Sequence, residues 1–185
     1  MPGARITNTT ESGGRSDSLS PFLWKKEKPL KSLALVALSI LWAVFKNMTG
    51  RVKYLLGAKA PSLACDSHEI HLIDCSGAVR YFLYRATRGE LILPEGSQAQ
   101  LEWCIANGLH RLAHYSDVAF AKDDPTRLFI CFLKPHAGEE WPRHVWLVVG
   151  GRTLESCGSH GVCSRDWDDV NLVHCVDAFE LPATL

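Results

Sequence analysis

Asp74-Cys75-Ser76-Gly77-Ala78-Val79-Arg80-Tyr81-Phe82-Leu83-Tyr84-Arg85 is the stretch that decides how this chain is read. Val79, Phe82, Leu83 and Ala86 recur at helical spacing, and Gly89 marks the stop. Asp74 in front is a good N-cap, because its carboxylate accepts hydrogen bonds from the N–H groups a first turn leaves unpaired. That puts Cys75 at the start of the helix, where the helix dipole favours an anion. A thiolate is the anion available. A cysteine so placed is a candidate nucleophile, provided the rest of the chain supplies a base.

Outward from this helix the pattern is that of one compact domain. Upstream, Val52, Leu55 and Leu56 followed by Gly57 predict a short amphipathic helix with a glycine C-cap. Downstream, Leu91-Ile92-Leu93-Pro94 leads into a third helix, with Ser97 near its start and Leu101, Trp103, Cys104 and Ile105 in its body. After Gly108 the texture turns to strands. Leu128–Leu133 is a continuous apolar run and His144–Val149 a strong strand. Gly150-Gly151 is a hairpin turn, with Arg152–Cys157 as the return strand and a further strand near Val170–Val176. Helices first and an antiparallel sheet afterwards give an α+β fold, with N-terminal helices packed on an antiparallel β-sheet.

Three segments are expected: a disordered basic leader over 1–30, a hydrophobic helix over 31–47, and the folded domain over 48–185. Residues 1–60 carry 10 Lys/Arg against 3 Asp/Glu, whereas residues 61–185 carry 10 against 17. An acidic domain repels phosphates, which argues against nucleic acid as a partner. Lys25, Lys26, Lys28 and Lys31 precede the apolar run Ser32–Phe45, which falls short of the roughly 20 residues a bilayer span needs. Basic residues before a short apolar run match a signal peptide, but Ala58-Lys59-Ala60 lies too far downstream for a good cleavage site. A signal or membrane anchor, with membrane contact through residues 25–46, and a buried or dimerising helix both remain open. The first reading implies a secreted, membrane-anchored or virion-associated protein.

Eight histidines compete to be the base. His144 is best placed, since it opens an apolar strand that would hold it rigidly. His68 and His71 fall on a loop, and His110 and His114 on a polar stretch. If Gly150-Gly151 makes a two-residue turn, Val149 faces Arg152 and Trp146 faces Glu155. His144, Trp146, Glu155 and Cys157 then share one face, with Glu155 diagonal to His144 and within reach of it. A carboxylate there would orient the imidazole and stabilise imidazolium. With Cys75 set aside, six cysteines remain, enough for three disulfides or none. Cys157-x2-His160-x2-Cys163, with His174-Cys175 beyond, has the density of a metal site but no clearly spaced fourth ligand. A Cys157–Cys163 disulfide is the competing reading, and no metal is expected.

Asp74-Cys75-Ser76-Gly77 with its Val/Tyr/Phe-rich helix, Leu93-Pro94 with Ser97 and Gln100, and His144-Val-x-Leu-Val-Val-Gly150-Gly resemble the NlpC-type, papain-like cysteine peptidases. These are bacterial and phage enzymes that cleave peptidoglycan peptides. The resemblance runs over roughly residues 48–180. It implies Cys75 as nucleophile and His144 as base, with the third member falling on Glu155 if the hairpin is one residue shorter here. Asp74, Ser76 and Trp146, their chain neighbours, are the expected substrate contacts, and no cofactor is required. Two departures stand out. Family members usually carry a Tyr about a dozen residues before the cysteine, as an oxyanion donor, where this chain has Ala60-Pro61-Ser62-Leu63. The segment from Cys75 to His144 is also longer than usual, with extra polar stretches at Ala121–Pro125 and Pro135–Pro142. The expected function is hydrolysis of an amide bond in a peptidoglycan stem peptide. The alternative is a weak or inactive member acting as a wall-binding or phage structural module.

Overall fold

The computed structural model describes residues 36–112, 124–133, 140, 142–166 and 175–184. Strand β1 (Val36–Ala37) runs into helix α1 (Leu38–Met48), and β2 (Lys53–Tyr54) follows. After a 3-10 turn at Ser67–Glu69 come β3 (Leu72–Ile73), α2 (Cys75–Ala86) and α3 (Ser97–Ala106). The strands of the main sheet are β4 (His110–Leu112), β5 (Leu128–Leu133), β6 (Val145–Val149), β7 (Arg152–Cys157), β8 (Gly161–Cys163) and β9 (Cys175–Leu181). A last strand, β10 (Ala183–Thr184), pairs in parallel with β1. The main sheet has the order β4-β9-β5-β6-β7-β8 and is antiparallel throughout. The α+β reading holds.

The sheet separates two apolar layers, because successive side chains of a strand point to opposite faces. Leu128, Ile130 and Phe132 of β5 and Val145, Leu147 and Val149 of β6 meet the helices in the main core. Phe129, Cys131, Trp146 and Val148 form a smaller cluster of their own with Leu112 and Ala178. Helix α2 lies in the middle of the main core. Ala78, Val79, Tyr81, Phe82 and Leu83 are fully buried, and Cys75, Ser76, Gly77 and Ala86 nearly so. This helix is therefore held on nearly all sides, and its N-terminus is fixed accordingly.

The segments read apart as 31–47 and 48–185 share this core. Leu41, Val44, Phe45 and Met48 of α1 are buried in it, and the Phe45 and Phe82 rings meet edge to face at 5.8 Å. The helix buries a single stripe, Leu38, Leu41, Val44, Phe45 and Met48, mainly against α2, and leaves Ser39, Ala43, Lys46 and Asn47 exposed, so within the domain it is amphipathic and not apolar all round. Among the described residues no helix is long and apolar enough to cross a membrane. The leader 1–30 lies outside the described residues, as do His114, His174 and most of Ala121–Pro125 and Pro135–Pro142.

One local expectation changes. The stretch with Val52, Leu55 and Leu56 is a strand and turn, not a helix. Val52 is buried, but Leu55 and Leu56 are exposed, and Lys53 and Tyr54 pair in parallel with Leu72 and Ile73. Of the strand expected near Val170–Val176, residues 170–174 lie outside the described residues, and Cys175 and Val176 belong to β9. The hairpin is as expected: Val149 faces Arg152, Val148 faces Thr153 and Leu147 faces Leu154. Gly150 and Gly151 take φ 54° and 70°, the left-handed values that a two-residue turn between twisted strands requires. At Gly161 a Cβ would lie 2.2 Å from the Val52 carbonyl. Only glycine lets β8 approach close enough for Val162 N–H to donate to Val52 O.

Candidate active site

Cys75 is the first residue of α2, and the Asp74 cap is shared more widely than a single hydrogen bond. Its Oδ1 accepts from Gly77 N–H at 2.7 Å and from the Ser76 hydroxyl at 3.1 Å. Its Oδ2 accepts from Gly57 N–H at 3.1 Å and pairs with the Lys59 ammonium. Lys59 also donates to Ser76 Oγ at 3.2 Å. The loop 57–59 is thereby tied to the turn that carries the thiol. As the first helical residue, Cys75 has an N–H with no partner inside its own helix.

His144 sits immediately before β6 and within hydrogen-bond reach of Cys75. Its Nε2 lies 2.9 Å from Glu155 Oε2, and the ring stacks on Trp146 at 5.5 Å between centroids. Burial alone would push this imidazole down. The hydrogen bonds to Cys75 and Glu155, with their charges, outweigh burial and push it up to about 9. His68, His71 and His110, the described competitors, are exposed.

Glu155 is fully buried and accepts from three residues. Besides His144, the Thr153 hydroxyl donates at 2.8 Å, and Arg165 binds both carboxylate oxygens at 2.9 Å each. Burial would raise its pKa. The hydrogen bonds from His144 and Arg165 prevail and hold it at about 2. Such a two-pronged Arg–carboxylate pair fixes direction as well as charge.

The structure thus brings Cys75, His144 and Glu155 together in that order. It does not present the three expected substrate contacts to a ligand. Asp74 and Ser76 are 5% and 3% exposed and Trp146 is 0% exposed. The first two organise the cap and Trp146 backs the imidazole, so their roles are internal.

Two residues of the site escaped the sequence reading. Arg165 has no role in the sequence reading, and its grip on Glu155 spans the β7–β8 hairpin. Tyr54 was passed over because the usual dozen-residue spacing pointed to Ala60–Leu63. It stands beside Ile73, two positions ahead of Cys75. Burial, and then the charges of Cys75, Asp74 and Cys157, raise its phenol, so it stays protonated as a donor. The parallel β2–β3 pairing was the missing signal. Helix α3 adds two supports: Gln100 Nε2 donates to Ser76 O at 2.9 Å, and Ser97 Oγ donates at 2.8 Å to the carbonyl of Pro142, two residues before His144.

No family model and no curated protein matches the sequence. Solved structures do match. A lipoprotein-like protein of the NLP/P60 family from Staphylococcus aureus superposes with a TM-score of 0.53 at 16% identity, over 80% of this chain and 42% of that one. The fold is of the NlpC/P60 type. NlpC1 from Trichomonas vaginalis gives a TM-score of 0.53 at 15% identity, over 80% of this chain and 44% of its own. The P60 domain of an antigen from M. avium subspecies paratuberculosis gives 0.51 at 21% identity, over 79% and 93%. The chain therefore spans less than half the length of the first two NlpC/P60 structures and nearly all of the isolated P60 domain. At these identities the likeness is one of fold.

Proposed function

We propose that this domain is a cysteine peptidase or amidase that hydrolyses an amide bond in peptidoglycan stem peptides. The observation that carries the reading is the chain of contacts from Cys75 to His144 to Glu155, on a fold of the NlpC/P60 type. Cys75 Sγ attacks the scissile carbonyl as a thiolate, with the proton held on His144. Glu155 keeps the imidazolium stable and oriented. In the tetrahedral intermediate the negative charge falls on the former carbonyl oxygen, where the Cys75 N–H and the Tyr54 hydroxyl serve as donors. His144 then gives its proton to the leaving amine, and the C–N bond breaks to leave a thioester. Water, deprotonated by the now neutral His144, attacks the thioester and returns the thiol. No step calls on a cofactor.

The test is digestion of purified muropeptides by the wild type and Cys75→Ala, with mass analysis of the products. Cleavage by the wild type alone supports the reading, and the products name the bond. Equal cleavage by both removes Cys75 as nucleophile. Binding without cleavage by either turns the domain into a wall-binding module.

A further inference from the structure

Beside the proposed triad, and not used by it, two more sulfurs meet. Cys157 ends β7 and Cys163 ends β8, and their Sγ atoms are 3.4 Å apart. They are diagonal neighbours on the ladder, since Cys157 faces Gly161 and Cys163 faces Glu155. Both are half-buried, so solvent reaches them, whereas Cys75, Cys104 and Cys131 are buried. Gly158, with open space around it, begins the connecting turn. His160 Nδ1 lies 3.8 Å from Cys157 Sγ. Among the described residues no three His, Cys, Asp or Glu side chains are arranged to hold a metal ion.

We propose that Cys157 and Cys163 are a reversible dithiol–disulfide couple, oxidised by a low-molecular-weight disulfide such as glutathione disulfide, that crosslinks β7 to β8 beside Glu155. The two thiols play different parts. The contact with the Cys163 sulfur, with help from His160, lowers the Cys157 thiol against burial and the Glu155 charge. His160 stands beside Cys157 and not beside Cys163, so its imidazole favours the thiolate at Cys157. Cys157 is therefore the attacking thiolate. It breaks the glutathione S–S bond, forms a mixed disulfide and expels one glutathione thiolate. Cys163 gives up its proton and attacks the Cys157 sulfur, expelling the second. Two protein thiols are oxidised to one disulfide, and one glutathione disulfide is reduced to two thiols. The sulfurs must close from 3.4 Å to about 2.0 Å. The crosslink ties the strand that carries Glu155 to the segment that carries Arg165.

The experiment uses the full-length chain, reduced and then incubated with excess glutathione disulfide, and needs no assay of hydrolysis. Peptide mass mapping should find Cys157 joined to Cys163, with the loss of two hydrogen atoms. Closing so short a loop should raise Tm by roughly 5–9 °C, reversibly on adding reductant. Cys163→Ser should stop at one glutathionyl group on Cys157 with no rise in Tm. A bridge to any other cysteine, both thiols still free after oxidation, an unchanged Tm, or a tightly held zinc ion shielding both thiols would each overturn the proposal. The wild-type mapping stands whether or not the variant folds.

Discussion

Glu155→Gln separates the charge of the third member from its shape. The raised His144 value, about 9 against an ordinary 6.5, corresponds to roughly 3 kcal/mol of preference for imidazolium at ~1.4 kcal/mol per unit. That preference is net of a burial cost, and Cys75 and Glu155 share the favourable part. Removing the Glu155 charge leaves the burial cost in place, so the imidazole should fall by at least about one unit. In the wild type, imidazolium is lost as pH rises through about 9, and the alkaline limb of kcat/KM should lie there. In Glu155→Gln that limb should move to lower pH, and kcat should drop, because Arg165 and His144 lose a charged partner. Stability follows with a defined sign. The His144 contribution is fully present below 6.5 and disappears as pH rises through about 9. The Glu155 contribution is present above 4.5 and disappears as pH falls through about 2. The stability gap between wild type and variant should be widest at pH 4.5–6.5 and narrow toward both ends. The assays are a pH–rate profile on muropeptides and an NMR titration of the His144 ring protons, which needs no turnover. An unmoved limb together with an unmoved ring titration refutes the reasoning.

Other perturbations have equally direct outcomes. Tyr54→Phe should lower kcat by about 10²–10³-fold with little change in KM, and a kcat equal to wild type would reduce Tyr54 to packing. In Gly77→Ala the new Cβ would lie 3.0 Å from Asp74 Oδ1 and 3.1 Å from both Ala58 O and Ile73 Cγ1. Overpacking of this kind costs about 1–3 kcal/mol, measurable by urea unfolding, and an unchanged midpoint would mean the cap gives way freely. Leu41→Ala empties a fully buried position in α1 and should cost about 2–5 kcal/mol. A loss no larger than that of a surface substitution would mean that α1 is not part of the domain core.

Cap, helix and hairpin were legible because each is written in contiguous residues. An Asp before a helical stripe sets where the first turn begins, and two glycines between apolar strands set the register that aligns His144 with Glu155. What the sequence did not disclose depends on contacts between distant segments. Tyr54 lies outside the dozen-residue window, and only a parallel β2–β3 pairing, with a long loop between, carries position 54 to position 73. Asp74, Ser76 and Trp146 looked like ligand contacts from their neighbourhood in the chain. Packing on several sides, a property of the assembled core, turned them inward.

Taken alone, then, the sequence determined a cysteine at a helix start, a histidine at a strand start and a carboxylate in register with it. These follow from backbone geometry, whose periods are local and fixed. Only the tertiary structure decided that α1 lies in the same core as α2, that Arg165 clamps Glu155, that Tyr54 lies beside Ile73, and that Cys157 meets Cys163. Each of those pairs distant residues or turns on side-chain direction, and burial of the whole chain selects them.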